Sequence, residues 1–280
     1  MSAKNADVLF QFADNYGGSP WVRFSDEDTD CRHSVALPTF SMVAWNAVSP
    51  IAKDPELRKI LAMLIPRDAL LSYGAGSLGQ LVSAPIPKQH PGYNDSVKRL
   101  ATDLPKAANE LERLGYRRPK AEGPRYTPDG KPMKLRFKAD SPRTTLVEKT
   151  IADTLSAVGV QVEFVHGYVA AGPFDGHLTA VTINSVTSDL LFLLHSRYSM
   201  LKNPIDPVHH ESLDKLLENY SLSLTHEPDF GVLKKVHSKV QELHPVTVLV
   251  QHSACLTGNN SRYVRRLNVN DPDWLKQIVR

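Results

Sequence analysis

The sequence predicts an α/β protein in which a mixed sheet is flanked by helices. A strand over 133–137, a helix over 143–158 and a strand over 160–165 follow one another, and this order is typical of a right-handed parallel crossover. A further strand over 178–183 precedes a helical segment. An apolar run at 246–250 is typical of a buried strand.

The other elements follow from caps, breaks and apolar spacing. Asp54 is placed to cap a helix that begins at Pro55 and carries apolar residues on one face. Residues 35–48 are rich in β-formers, and Pro38 divides them into two short strands, of which the second ends at Trp45. The remaining predicted helices are 67–73, 104–114, 188–195, 212–220 and 229–243, with a last one opening at Asp271 after a short strand at 263–264.

Composition excludes several classes of protein. The 280 residues are 41% hydrophobic and 22% charged, which is typical of a globular chain, and the net charge of +3 is too small to require nucleic acid as a partner. Residues 98–143 carry 13 Lys and Arg against 6 Asp and Glu. This cluster is either a solvated face or a surface for a polyanion.

The amino terminus and the cysteines say little about the compartment. The first residues lack a long apolar core, so we expect no signal peptide here, and no apolar run of about 18 residues predicts a membrane-spanning helix. Cys31 and Cys255 are 224 positions apart and match no metal spacing. They form either a long-range disulfide or two unrelated thiols.

The sequence carries no motif with the context or spacing of a catalytic, nucleotide-binding or metal-binding site. The Gly-x-Gly-x-x-Gly string at 74–79 follows a helix, whereas the dinucleotide fingerprint follows a strand. Gly-x-Ser-x-Gly is absent, and the acidic pairs at 26–28 and 271–273 suit helix caps. His209 and His210 are adjacent, and His237 and His244 are seven apart, so neither pair has the spacing of a helical zinc site. We therefore expect no enzyme activity, no metal and no cofactor.

Polar residues gather where predicted strands end. Trp45 and Asn46 close one strand, Phe174 and Asp175 form a turn, and small polar residues follow Thr182. Strand exits in α/β sheets face the crevice in which ligands bind, so hydrogen-bonded capture of a solute is one interpretation. An ordinary turn-rich loop is the other.

Several motifs, in order, resemble the family 5 extracellular solute-binding proteins. A strand ending in Asn46 is followed by Asp54-Pro-Glu-Leu-Arg58, by 65–67 in place of the family's I-D-R, and by Pro85-Ile-Pro87. Further on, Ala107 to Tyr116 matches the family's A-x-x-L-L-x-x-A-G-Y, and Asp129-Gly130, Gly159-Val160 and Phe174-Asp175 follow in the family's order.

This resemblance, which spans roughly 39–280, implies the carboxyl-terminal portion of such a protein. The implied fold is type II periplasmic-binding, with 1–45 the remainder of the first lobe and crossover, 46–245 the ligand-binding second lobe, and 246–280 a return segment. The implied function is capture of a peptide or similar small solute by lobe closure, as a monomer that serves the membrane subunits of an ABC transporter, at the periplasmic or extracellular face of the membrane. The residues expected to line the cleft are Trp45, Asn46, Asp175, Asn184, Ser185 and Arg197.

The chain departs from the family where peptide binders carry a W-x-x-D motif. Asn184 and Ser185 stand near the corresponding place, and Asp189 follows a few residues later. The sequence also leaves open a cytoplasmic alternative, the ligand-sensing domain of a transcription regulator with the same fold.

Overall fold

The computed structural model describes residues 9–12, 33–74, 79–140, 145–166, 173–183, 185–202, 205–223 and 228–257. Its strands are β1 Leu9–Phe12, β2 His33–Trp45, β3 Lys134–Ala139, β4 Gln161–His166, β5 Gly176–Thr182 and β6 Val246–Thr257. Its α-helices are α1 Pro55–Leu64, α2 Arg67–Gly74, α3 Leu104–Arg113, α4 Leu146–Ala157, α5 Val186–Leu194, α6 Glu211–Ser223 and α7 Phe230–Leu243.

The strands form one mixed sheet in the order β1-β6-β2-β5-β3-β4. β3 is parallel to β4 and β5, whereas β2 is antiparallel to both β5 and β6. Strands β3, β4, β5 and β6 therefore end at one edge of the sheet, which we call the carboxyl edge. The opposite edge, where these four strands begin and β2 ends, is the amino edge. The predicted α/β class with a mixed sheet and the parallel crossover are confirmed.

Helices cover both faces of the sheet because the strand side chains alternate between two cores. Phe40, Met42 and Ala44 of β2 pack in the core formed with α5, α6 and α7. Val43 and Trp45 point the other way, into the core formed with α1, α3 and α4. These apolar contacts on both faces hold the two helical layers against one sheet.

The predicted helix signals act as expected. Asp54 accepts a hydrogen bond from the Glu56 amide at 2.8 Å and caps α1. Gly115 and Gly159 have φ of 87° and 82°, the left-handed conformation in which glycine commonly ends a helix. The predicted segments at 263–264 and after Asp271 lie outside the described residues. Among the described helices, none is long and apolar enough to span a bilayer.

The prediction of two short strands at 35–48 is wrong, because β2 is a single strand with an irregularity at Pro38. The pairing register with β6 shifts between Ala36 and Phe40. Proline has no amide hydrogen for the ladder, so the pairing is interrupted there. The Gln251 side chain fills the gap by donating to the Leu37 carbonyl at 2.9 Å. The predicted boundaries at 45/46 and 245/246 stay a prediction, and the described strands on both sides of them share this sheet.

Candidate functional site

A cluster of polar side chains lies at the carboxyl end of β3, where Asp140 follows the strand and faces the first half of β5. Asp140 Oδ1 is 2.7 Å from His177 Nε2, and Thr179 Oγ1 donates to Asp140 Oδ2 at 2.6 Å. His177 and Thr179 alternate along β5 and so point to the same face of the sheet. Both are buried, whereas 49% of the Asp140 side chain is exposed. The carboxylate is thus held from within and open to solvent on its outer side.

Nearby charges keep this carboxylate ionised. Burial works against ionisation, but the hydrogen bonds from His177 and Thr179 and the positive charge of Lys138 outweigh it, so the pKa of Asp140 is below its ordinary value. Lys138 is itself buried, and its Nζ lies 3.4 Å from the Ala139 carbonyl oxygen. His177 Nδ1 is buried and has no hydrogen-bond partner in the part of the chain that the structure describes.

A second histidine–carboxylate pair lies at the end of β4. His166 Nε2 is 3.3 Å from Glu148 Oε2, and Glu148 is 1% exposed. The Glu148 amide donates to Thr145 Oγ1 at 3.2 Å at the start of α4, so Thr145 and Glu148 occupy the cap and third positions of a capping box. Burial raises the pKa of the Glu148 carboxyl above its ordinary value. Buried, perturbed carboxyls are enriched at functional sites, although this one also has a role in starting the helix.

Small polar groups continue this edge at the end of β5. The hydroxyl oxygens of Thr39 and Thr182 are 3.0 Å apart. Ser185 is exposed and precedes α5, where its amide donates to Asp189 Oδ2 at 2.9 Å and its hydroxyl makes no cap hydrogen bond. Asn184 lies outside the described residues. Of the six residues predicted to line a cleft, Ser185 is the described one that lies at the carboxyl edge.

Asn46 and Asp175 lie instead at the amino edge, in a closed junction. The Asn46 side-chain amide donates to the Phe174 carbonyl at 2.6 Å, and its oxygen accepts from the amides of Val48 and Asp206. The Asp175 carboxylate accepts from the Ser49 hydroxyl and from the Arg136 amide. Burial raises the pKa of the Asp175 carboxyl.

The polar groups of this junction are already satisfied by the chain itself. Asn46 is 5% exposed, and its hydrogen bonds tie the end of β2 to the turn before β5 and to the segment before α6. A methyl group added at Gly176 would lie 2.9 Å from the Ala44 carbonyl oxygen, so β2 and β5 approach closely here. The arrangement is that of a structural joint.

Trp45 is part of the same joint and is enclosed in the core. It is 1% exposed, its Nε1 donates to Thr247 Oγ1 at 2.9 Å, and its ring centre is 5.9 Å from that of Phe137. Arg197 is exposed and lies beyond the end of α5, where its amide donates to His195 Nδ1. A nine-residue helix spans about 14 Å, so Arg197 is far from Ser185.

Arg58 completes the amino edge. Its guanidinium donates to the carbonyls of Leu243, His244, Ala52 and Lys53 at 2.6–3.2 Å, and the residue is 2% exposed. These carbonyls belong to the end of α7 and to the segment before α1. One buried side chain therefore joins the chain before β6 to the chain after β2.

The six predicted residues do not converge on one site. Trp45 pairs with Gly176 and Thr39 with Thr182, so about 20 Å of strand separates the two edges. β2 runs antiparallel to β5, so Trp45 and Asn46 leave the sheet at the edge opposite to the exit of β5. Whether any of the six contacts a ligand is not tested by these positions and stays a prediction. Sequence reasoning missed Asp140, His177 and Thr179, although polar residues alternating along a strand were a usable signal.

A buried serine–histidine contact elsewhere is not an activated nucleophile. His237 Nδ1 accepts a hydrogen bond from the Asn94 amide at 3.0 Å, so the ring hydrogen is on Nε2, which lies 2.7 Å from Ser83 Oγ. That nitrogen donates to the serine and cannot take its proton. Burial lowers the pKa of His237 to about 4, which keeps the ring neutral. The contact anchors the segment after residue 79 to α7.

The fold is that of the type II periplasmic binding proteins. A nickel ABC transporter protein from Bacillus halodurans superposes with a TM-score of 0.71 at 14% identity, covering 90% of this chain and 53% of that one. NikZ from Campylobacter jejuni, solved with Ni(L-His), gives 0.66 at 15% identity, with 81% and 48% covered. The oligopeptide-binding protein AppA from Bacillus subtilis, solved with a nonapeptide, gives 0.65 at 18% identity, with 81% and 48% covered. This chain thus spans about half the length of these structures.

The family follows from the sequence match. Residues 11–186 match the model of the bacterial extracellular solute-binding proteins, family 5, middle region. The chain belongs to this family, as the ordered motifs predicted. The family is one of solute-binding proteins of peptide and nickel ABC transporters rather than of enzymes. A comparison with curated proteins found no match.

Proposed function

We propose that this chain is part of the substrate-binding component of an ABC transporter and captures a peptide or similar small solute at the carboxyl edge of its sheet. The observation that carries the proposal is the contrast between the edges. Asp140, at the carboxyl end of β3, is half exposed and ionised, whereas the polar groups of the amino edge are satisfied internally.

The position of this cluster suits a ligand. In α/β sheets, ligands bind outside the carboxyl ends of the strands, where polar groups converge without having to be paired by neighbouring strands. β3, β4 and β5 end here, and the chain then continues into 141–144, 167–172 and 184. Asn184 and Ser185 remain proposed ligand contacts. Trp45, Asn46 and Asp175 support the lobe from its far side.

Capture requires no covalent chemistry. Solute bound between this lobe and another one favours the closed form by its extra contacts there, and the closed form is then presented to the membrane subunits of the transporter. We assign the chain to the periplasmic or extracellular face, as a monomer that does not bind nucleic acid.

Isothermal titration calorimetry of the protein tests the proposal. The probes are trialanine, pentaalanine and a nickel–histidine complex, each followed by a thermal unfolding scan. Saturable heat and a raised Tm with at least one probe are expected, because a ligand that binds the folded form stabilises it. The absence of both heat and a Tm shift with all three probes would contradict the proposal.

A matched pair of variants locates the binding. Ser185→Ala changes a residue at the carboxyl edge, and Ser212→Ala changes an α6 residue away from it. Weaker binding is expected for the first variant alone. Equal loss in both variants would argue against binding at the carboxyl edge.

A further inference from the structure

We propose that Glu148 and His166 form a pH-sensitive latch that holds the end of β4 against α4, and that holds it more tightly in mildly acidic than in mildly basic solution. Glu148 lies in the first turn of α4, and His166 is the last residue of β4. The latch is a property of the chain without solute, so this inference does not depend on the proposed function.

The first step concerns the position of the pair. β4 lies at the end of the sheet order and pairs with β3 alone among the described strands, up to the register pair Ala139 and His166. The end of an edge strand opens more readily than the centre of a sheet, because it has fewer backbone hydrogen bonds and fewer buried contacts. A side-chain contact between His166 and α4 therefore has a direct effect on how often this end opens.

The second step concerns the carboxylate. Glu148 is 1% exposed, and its Oε1 accepts a hydrogen bond from the Thr145 hydroxyl at 3.2 Å. Its Oε2 is buried, makes no hydrogen bond within the described part of the chain and lies 3.3 Å from His166 Nε2. Burying a carboxylate is unfavourable unless it is paired, and a protonated imidazole is a partner of opposite charge. The pair is therefore most favourable when His166 carries this extra proton.

The third step gives the direction of the pH dependence. Burial raises the pKa of the Glu148 carboxyl above its ordinary value of 4.5, and a positive charge on His166 works against this rise. A group with a raised folded pKa stabilises the fold fully below its unfolded pKa, and this contribution is lost as the pH rises through the folded value. Histidine side chains lose their positive charge between about pH 5 and about pH 8. Both effects favour the closed latch at the lower pH.

The other charged side chains of the elements packed against the pair have little influence on it. On β3 the residue opposite His166 is the uncharged Ala139, and the charged residues alternate with it on the other face of the sheet: Lys134, Arg136 and Lys138. α4 and α2, which pack together, carry four further charges: Lys149, Asp153, Arg67 and Asp68. Among the described charges, His166 is the one that acts on the pKa of the Glu148 carboxyl.

Backbone hydrogen exchange of the protein without solute tests the latch at about pH 8 and about pH 6. The rates are measured by NMR and converted to protection factors, which removes the pH dependence of exchange in an open chain. Glu148→Gln removes the carboxylate charge but suits the third position of a capping box, and His166→Gln removes the imidazole. The matched control is His209→Gln, which removes a histidine 3.4 Å from Asp206 near the amino edge.

Protection of the β4 amides should be about fivefold greater at the lower pH in wild type and in His209→Gln. It should stay constant in Glu148→Gln and in His166→Gln, because each lacks one member of the pair. Constant or falling protection in wild type overturns the latch, and so does a rise that persists in either of these two variants.

Wild type alone also decides the question if a variant does not fold. The rise should be confined to β4 and absent from β2, which lies within the sheet between β5 and β6. A change of the whole fold would have the opposite sign, because burial lowers the pKa of His237 to about 4 and its contribution to stability is lost as the pH falls. An equal rise along β2 overturns the latch.

Discussion

The two edges of the sheet carry similar residues and use them differently. At the amino edge, Asn46 and Asp175 meet donors and acceptors from the chain itself, and burial completes the enclosure. At the carboxyl end of β3, Asp140 is half exposed, and His177 beside it on β5 keeps a nitrogen without a partner among the described residues.

The comparison shows that residue type alone does not distinguish a joint from a binding site. An aspartate lies at each place, because Asp175 precedes β5 and Asp140 follows β3. What differs is whether hydrogen-bonding capacity is used up within the chain. Substitutions at the amino edge should therefore change stability, and substitutions at the carboxyl edge should change binding.

Arg58→Met should have the largest effect. It removes five hydrogen bonds to four carbonyls while keeping an unbranched side chain in a buried position. Because the substitution leaves these buried carbonyls unpaired, the unfolding free energy should fall by about 3–5 kcal/mol. Urea denaturation measures it, and Arg58→Lys, which keeps the charge but not the planar fork, should lose less. A change below about 1 kcal/mol for Arg58→Met would refute the view that this edge is a stabilising joint.

Asn46→Ala should follow, with a loss of about 2–3 kcal/mol. The variant leaves the Phe174 carbonyl and the amides of Val48 and Asp206 without their side-chain partner. Solute affinity should stay within threefold, because the side chain is enclosed and about 20 Å of strand separates it from Thr182, next to the proposed contact Ser185. Asn94→Ala, at a partly exposed side chain, is the matched control and should lose less in the same urea titration. A large loss of affinity in a stable Asn46→Ala protein would place the ligand at the amino edge and contradict the proposed site.

Acid should weaken the amino edge through His244. Burial, together with the cations Lys59, Arg58 and Arg67, lowers the pKa of His244 from 6.5 to about 4. Its folded pKa is depressed, so its contribution to stability is complete above pH 6.5 and is lost as the pH falls toward 4.

The variant His244→Asn tests this, because asparagine tolerates the left-handed conformation of this position, where φ is 46°. Between pH 7.5 and pH 5, the unfolding free energy of the variant should fall by about 2 kcal/mol less than that of the wild type. His237 titrates in the same range and accounts for acid sensitivity that persists in the variant. Identical pH profiles of unfolding free energy for the two proteins would contradict the assignment.

Ser185→Ala should have the smallest effect on stability, within about 0.5 kcal/mol. Serine hydroxyls at helix starts normally stabilise by capping, but this one makes no cap hydrogen bond and is exposed. Thr145→Ala, which removes the capping hydroxyl at the start of α4, is the control and should cost about 1 kcal/mol. Comparable losses in the two variants by thermal unfolding would show that Ser185 has a structural role.

Local features of the fold were predictable, and long-range ones were not. The Asp54 cap, the glycines that end α3 and α4, and the β3–α4–β4 crossover depend on residues close in sequence, and each was confirmed. The direction of β2 relative to β5 depends on pairing between Thr39 and Thr182, which are 143 positions apart, and no local pattern encodes it. Because the site prediction lacked the direction of β2, the residues it named lie at both edges of the sheet. Asp140 and His177 are 37 positions apart and meet through another long-range pairing, that of β3 with β5.

The central position of β2 has a consequence for how the chain acquires its structure. β2 lies between β5 and β6, and its Trp45 contacts Thr247, 202 positions further along the chain. During synthesis, β2 leaves the ribosome long before either neighbouring strand exists, so its two edges stay unpaired until most of the chain has been translated. Proteins dominated by such distant pairings fold slowly and are exposed to aggregation on the way. Assembly of this sheet is therefore late relative to the synthesis of β2, and it is completed when β6 is added beside that strand.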